Sequence, residues 1–154
     1  MSFSIVSAAI AMLLSVQVIA PMEGTVTRRY EQPACQFCAG HRGVTIATKD
    51  GSDVVALLVG VVTFAGEVGG LTYVVLRIAP DVRVTYGWLA SVRPEVNEGY
   101  TITQGAVIGT TGSSTYLGVR VGETYVDPLR FLGLGHARLR GPGRVVVEDS
   151  GFAR

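Results

Sequence analysis

The sequence predicts an all-β domain of the sandwich or barrel type. Three observations carry this. Val, Ile, Thr, Leu and Tyr cluster in short runs from Pro21 onward. Turn residues interrupt these runs at intervals of roughly 8–12 residues. And 154 residues with 48% hydrophobic content suit one domain with a sizeable core.

The candidate strands are Thr25–Tyr30, Val54–Val59, Val61–Ala65, Thr72–Ile78, Val82–Trp88, Ala106–Thr110, Tyr116–Val121 and Ala137–Arg140. A further strand is entered after the Gly40-His41-Arg42-Gly43 loop. Asp50-Gly51, Gly66, Gly69-Gly70, Pro80-Asp81, Asn97-Glu98-Gly99 and Thr111-Gly112-Ser113-Ser114 are the turn signals between them. Several runs alternate only in part, which suits strands covered on both faces. Asp127-Pro128-Leu129-Arg130-Phe131-Leu132 reads as one helical turn. Asp127 would cap it, proline suits the first helical position, and Gly133 would end it. Residues 21–140 form the domain. Residues 141–154 read as a tail, in which Arg144–Glu148 could add an edge strand.

Residues 1–20 differ from the rest. All 13 Lys and Arg and all 12 Asp and Glu lie after residue 20. Ile5 to Ala20 is apolar apart from Ser7, Ser15 and Gln17, the length of a signal-peptide core rather than of a bilayer span. The segment reads as an export signal or N-terminal anchor, which places the domain outside the cell or at its envelope, with a membrane tether available. The alternative is a buried helix or strand of the domain. No second stretch is long enough to span a bilayer, so a polytopic membrane protein is excluded. A net charge of +1 with no basic stripe argues against a nucleic-acid partner.

Five pieces occur in a fixed order: Pro21-Met22-Glu23-Gly24-Thr25-Val26-Thr27; His41-Arg42-Gly43-Val44; Val55-Ala56 through Gly66; Gly105 through Gly112; and Gly122-Glu123-Thr124-Tyr125-Val126-Asp127-Pro128. Together they resemble the lysostaphin-like (LytM-type) zinc metallopeptidases of bacterial cell walls, over roughly Pro21 to Leu132. The closing piece is similar to the actinobacterial form of that family. Twelve arginines against one lysine suggest a GC-rich genome, which agrees. The resemblance implies an antiparallel lysostaphin-like peptidase β-core and, in a typical member, zinc-dependent cleavage of peptidoglycan peptides.

The family holds zinc through the His and Asp of H-x-x-x-D and the second His of a late H-x-H. Those positions fall here on His41, Thr45 and Gly118. Its general-base histidines, one of them in Y-x-H-L, fall on Tyr116 and Trp88. A catalytic zinc needs three protein ligands and an open position for water. Glycine offers no donor, and neither Trp nor a neutral Tyr exchanges protons near neutral pH as His does. The expectation is therefore a catalytically degenerate domain with no catalytic residue, no metal site and no cofactor. It would bind peptidoglycan or regulate a cell-wall hydrolase. An active zinc endopeptidase and a structural envelope protein are the alternatives.

His41, Trp88, Tyr116 and Arg120 are the candidate groove residues. Trp88 and Tyr116 would either fill the emptied metal pocket or floor a site for a glycan or peptide. Cys35-Gln36-Phe37-Cys38 offers a short disulfide, which suits an exported protein, a pair of free or redox-active thiols, or with His41 part of a metal site. Arg28, Arg29 and Glu31 read as a solvated strand end, and Asp53 as a turn cap.

Overall fold

The computed structural model describes residues 17–133, 137–140 and 144–147. Its strands are β1 (Thr25–Arg28), β2 (Gly43–Ala47), β3 (Asp53–Val55), β4 (Gly60–Val68), β5 (Leu71–Ala79), β6 (Val82–Val92), β7 (Thr101–Ile102), β8 (Val107–Val121) and β9 (Thr124–Val126). The helical turn α1 (Pro128–Phe131) follows, then β10 (Ala137–Arg140) and β11 (Arg144–Val147). Among the described residues, β1 to β9 form one antiparallel sheet in the order β1-β2-β8-β6-β5-β4-β7, with β3 and β9 also pairing with β8. The all-β, antiparallel expectation holds.

Alternation gives the sheet two unlike faces. Val44 and Ile46 of β2, Val74 and Leu76 of β5, Val84 and Tyr86 of β6, and Leu117 and Val119 of β8 all point into the core. Met22, Ala56, Leu57, Ile108 and Leu129 close over them. The residues between them face outward and, through the register, form rows across the strands. One row runs Tyr73–Gly87–Tyr116–Thr45, and the next runs Thr85–Gly118–Gly43.

The largest departure from the expected elements is in β8. Thr111-Gly112-Ser113-Ser114 was expected to be a turn, yet the strand runs through it unbroken. The polar residues find partners inside the structure, so no turn is needed. Buried Thr111 donates from Oγ1 to the Lys49 carbonyl at 2.6 Å. Thr48 Oγ1 donates to the Gly112 carbonyl at 2.6 Å and lies 2.9 Å from Oγ1 of buried Thr115. The loop between β2 and β3, both of which pair with β8, therefore supplies what solvent would supply at a turn.

Other boundaries move as well: β1 stops at Arg28, and β4 runs through Gly66, expected as a turn, to Val68. The run Val54–Val59 is a strand only to Val55, although Ala56 and Leu57 remain fully buried. The run ending at Trp88 continues to Val92 through bulges around Leu89. The α1 turn forms as expected: the Leu129 N–H donates to Asp127 Oδ1 at 3.0 Å, with proline in the first turn. Strand β11 pairs with β10 as a separate two-stranded sheet, not as an edge of the main one.

Ala20 and Met22 are buried in the core, and the Ile19 N–H donates to the Leu57 carbonyl at 3.3 Å. The rest of the expected signal or anchor segment, residues 1–16 of 1–20, lies outside the described residues. No helix among the described residues is long and apolar enough to cross a membrane.

Candidate functional site

Three glycines from three adjacent strands leave a bare patch on the outward face: Gly43 of β2, Gly118 of β8 and Gly87 of β6. Gly43 lies directly opposite Gly118, and Gly87 directly opposite Tyr116. The Tyr116 side chain lies over this patch. A Cβ built on Gly118 would stand 2.9 Å from the Tyr116 hydroxyl oxygen, and one on Gly87 would stand 3.1 Å from Tyr116 Cδ1. A Cβ on Gly43 would come within 2.6 Å of Cζ of the same ring. A side chain at Gly43 or Gly118 would press on the Tyr116 ring, and one at Gly87 would first overlap the Tyr73 ring, at 2.7 Å, so the glycines are what let both rings lie there.

The ring has aromatic neighbours on both sides. His41 stands edge-on to it with centroids 5.8 Å apart, and Trp88 tilts toward it at 5.5 Å. Trp88 Nε1 donates to the Tyr73 hydroxyl at 3.1 Å. Both arrangements are favourable aromatic geometries. Together with Arg28, Gly40, Arg42, Thr85 and Tyr125, these residues line a concavity of about 440 Å³.

Trp88 has a backbone φ of 60°, a left-handed conformation that a bulky residue avoids at a cost of about 1–2 kcal/mol. It sits at the β6 bulge between Gly87 and Leu89, where the register slips and turns the indole toward the groove. Trp88→Gly is therefore expected to leave the fold about 1 kcal/mol more stable than Trp88→Ala, although both lose the same ring. Denaturant midpoints of the two variants check this, and equal midpoints would contradict it.

His41 is 8% exposed. It is fixed by a two-way backbone bridge to Glu31, at 2.9 and 3.0 Å, and its Nε2 shares a 3.1 Å hydrogen bond with Thr45 Oγ1. Burial, and then the Arg28 charge, hold its pKa below the usual 6.5 against an opposing pull from Glu31. Protonation thus costs the folded state more than the unfolded chain. The stability contributed by the neutral imidazole is present above pH 6.5 and is lost as pH falls through the lower folded value. His41→Gln should remove this component. The gap in melting temperature between wild type and variant should narrow between about pH 7.5 and pH 5, and a constant gap would contradict this.

Burial, reinforced by the neighbouring phenols of Tyr125 and Tyr73 and opposed by Arg42, pushes the Tyr116 phenol up to about 12. It stays protonated at neutral pH and cannot serve as a base there.

The donor set is thus one imidazole already committed to a threonine, a glycine with a phenol ring lying across it, and no carboxylate. Among the described residues, no three of His, Cys, Asp and Glu converge on one point. Cys35 and Cys38 are joined to each other as a disulfide. The residues present therefore do not fit the tetrahedral zinc the resemblance implies. Disulfide is the arrangement adopted among the three open for the cysteines.

Arg120 departs from the expected groove. It lines a neighbouring hollow with Cys35, Phe37, Glu123 and Tyr125, which joins the first through Arg42 and Tyr125. Arg42 braces the disulfide loop by donating from Nη2 to the Gln36 carbonyl at 2.6 Å, and its guanidinium lies over the Tyr125 ring. Arg28, expected as a plain solvated strand end, borders the site. Sequence reading also missed Tyr73, Gly43 and Gly87, which reach the site only through cross-strand register. Gly43 and Gly87 did carry a local signal, as positions of His41-Arg42-Gly43-Val44 and Tyr86-Gly87-Trp88-Leu89, whereas Tyr73 carried none.

No relative was found among curated proteins. Solved structures do match. Csd3 of Helicobacter pylori aligns with a TM-score of 0.63 at 22% identity over 81% of this chain, which spans 37% of the Csd3 chain. The catalytic domain of the prophage-encoded M23 protein EnpA from Enterococcus faecalis, solved as a point mutant, aligns at 0.57 and 20% identity, over 68% of this chain and 88% of that one. A chain of the SpoIIQ–SpoIIIAH pore-forming complex aligns at 0.64 and 21% identity, over 75% and 90%. These likenesses concern the fold. The profile of peptidase family M23 matches residues 39–128, more than half of the sequence and all of the groove lining except Arg28, and the chain belongs to that family.

Proposed function

We propose that this domain is a degenerate M23 peptidase that binds peptidoglycan through its groove without cleaving it. One observation carries the reading. Where the family pattern calls for a metal-binding histidine at position 118 there is a glycine, and the Tyr116 ring rests against it. The groove has thereby exchanged metal donors for aromatic surface. Tyr116, Trp88 and Tyr73 offer ring faces and polar edges of the kind that bind sugars and peptides. In this reading no metal is held to lower the pKa of a water molecule, and Tyr116 and Trp88 cannot take its proton near pH 7.

The test is capture of the purified chain on insoluble peptidoglycan. Wild type should bind and release no soluble peptide. Trp88→Ala should fold and lose most of the binding. Failure of wild type to bind would remove this reading, and release of peptides by wild type would restore the enzyme.

A second reading is a protein partner at the cell envelope, among which a cell-wall hydrolase is one class. What favours it is the match to the SpoIIQ–SpoIIIAH assembly, in which a chain of this fold is solved within a complex. In that case cross-linking in the source cell would recover a protein, and binding to bare peptidoglycan would fail. Export across the membrane is part of both readings and rests on the apolar run of residues 5–20.

A further inference from the structure

We propose that a row of three arginines on the outward face, Arg77, Arg83 and Arg120, forms a binding site for a linear phosphate-bearing polymer. The register places them in line. Arg77 of β5 lies directly opposite Arg83 of β6, and Arg83 directly opposite Arg120 of β8. Their chain neighbours Leu76, Val84 and Val119 are buried in the core, so all three arginines project from the other side of the sheet. Tyr125 of β9 extends the row beyond Arg120.

Like charges directly opposite each other across antiparallel strands are destabilising. A row of three would ordinarily be neutralised by acidic neighbours. None of these three arginines takes part in an ion pair or a side-chain hydrogen bond among the described residues. Two carboxylates neighbour the row in the fold: Glu123, exposed on the rim of the hollow that Arg120 lines, and Asp81 at the turn between β5 and β6. Neither lies within ion-pair distance of an arginine of the row.

The shape of the row selects the occupant. Adjacent strands lie about 4.8 Å apart, so the charges are repeated at short, regular steps, which suits an anion repeated along a chain. Each guanidinium can hold a phosphate through two parallel hydrogen bonds. The row crosses β5, β6 and β8, each hydrogen-bonded to strands on both sides. An acidic peptide lying across it would find no free strand edge to pair with its backbone. Anionic membrane surfaces are typically held by clusters of four to eight basic residues, and nucleic acids by about six to ten phosphate contacts, both more than this row offers. The arginines stand 37 and 43 residues apart in sequence, from Arg83 to Arg120 and from Arg77 to Arg120, which is why no basic run is visible there. The site does not depend on the groove reading.

The experiment is calorimetric titration of the full chain with linear inorganic polyphosphate. Wild type should bind at low salt, and log affinity should fall linearly with log salt concentration. Arg77→Gln, Arg83→Gln and Arg120→Gln should each weaken binding about fivefold or more, and the triple variant by at least about a hundredfold. Arg130→Gln, at the exposed end of α1, should leave it unchanged. Without ligand, the triple variant should melt at or above the wild-type temperature, because its removal of charge relieves repulsion. Arg83→Lys retains charge but not the fork, and should bind several-fold more weakly than wild type. Wild-type affinity in the triple variant would overturn the proposal. So would polyglutamate binding as tightly as polyphosphate, or binding confined to phosphatidylglycerol vesicles.

Discussion

Gly43→Ala is expected to destabilise the domain by at least about 3 kcal/mol, the upper end of the range for overpacking a well-packed site. The added Cβ would overlap the carbonyl oxygen of Leu117 and stand 2.6 and 2.7 Å from Cζ and Cε2 of Tyr116. The ring could swing away, but the carbonyl belongs to the β2–β8 ladder and cannot move without breaking it. Adding Tyr116→Ala to Gly43→Ala should therefore recover less than half of the loss. Gly118→Ala is the informative contrast. The three atoms nearest its Cβ all belong to the Tyr116 side chain, at 2.9 to 3.3 Å, and a small tilt of the ring relieves that. A cost nearer about 1 kcal/mol is expected there. Urea titration reads all of these variants, with the midpoint falling and the slope unchanged. Equal costs for Gly43→Ala and Gly118→Ala would show that the ring is not seated as described.

Tyr86→Ala should be of comparable size, about 3–5 kcal/mol, a large share of the roughly 5–15 kcal/mol that holds a typical domain together. Tyr86 is fully buried, and its hydroxyl accepts the Leu57 N–H at 3.1 Å. Burial raises the phenol's pKa well above 10.0. Tyr86→Phe separates the two contributions. It keeps the ring and leaves a buried N–H unpaired, for which about 1–3 kcal/mol is expected. Leu57 belongs to the segment linking β3 to β4, so the phenylalanine variant should also speed amide exchange at Leu57. A Tyr86→Phe variant as stable as wild type would show that water satisfies that N–H.

These residues also mark how much could be read in advance. The strand runs were legible where apolar residues alternate, as in Leu71–Ala79, and the helical turn at Pro128 was legible from its cap and proline. The continuity of β8 was not, because Thr111-Gly112-Ser113-Ser114 has the composition of a turn. What keeps it extended is a set of hydrogen bonds to Lys49 and Thr48, over sixty residues away. The ordered motifs identified the groove, and His41, Trp88 and Tyr116 do converge there. Its floor was not legible. Gly43, Gly87 and Tyr73 join it through pairings between strands, and a single sequence holds no local trace of such register. The same limit hid the arginine row and misplaced Arg120, which faces the adjoining hollow. The strain at Trp88 depends on a bulge, and no residue pattern announced it.

The proposed domain keeps the M23 fold with aromatic surface in place of a zinc centre. The most direct test is the zinc content of the purified chain after incubation with zinc and removal of the excess, with peptide release from peptidoglycan measured on the same sample. Far less than one zinc per chain and no release are expected, with or without chelator. About one tightly held zinc per chain, whose removal by chelator abolishes peptide release, would contradict this expectation.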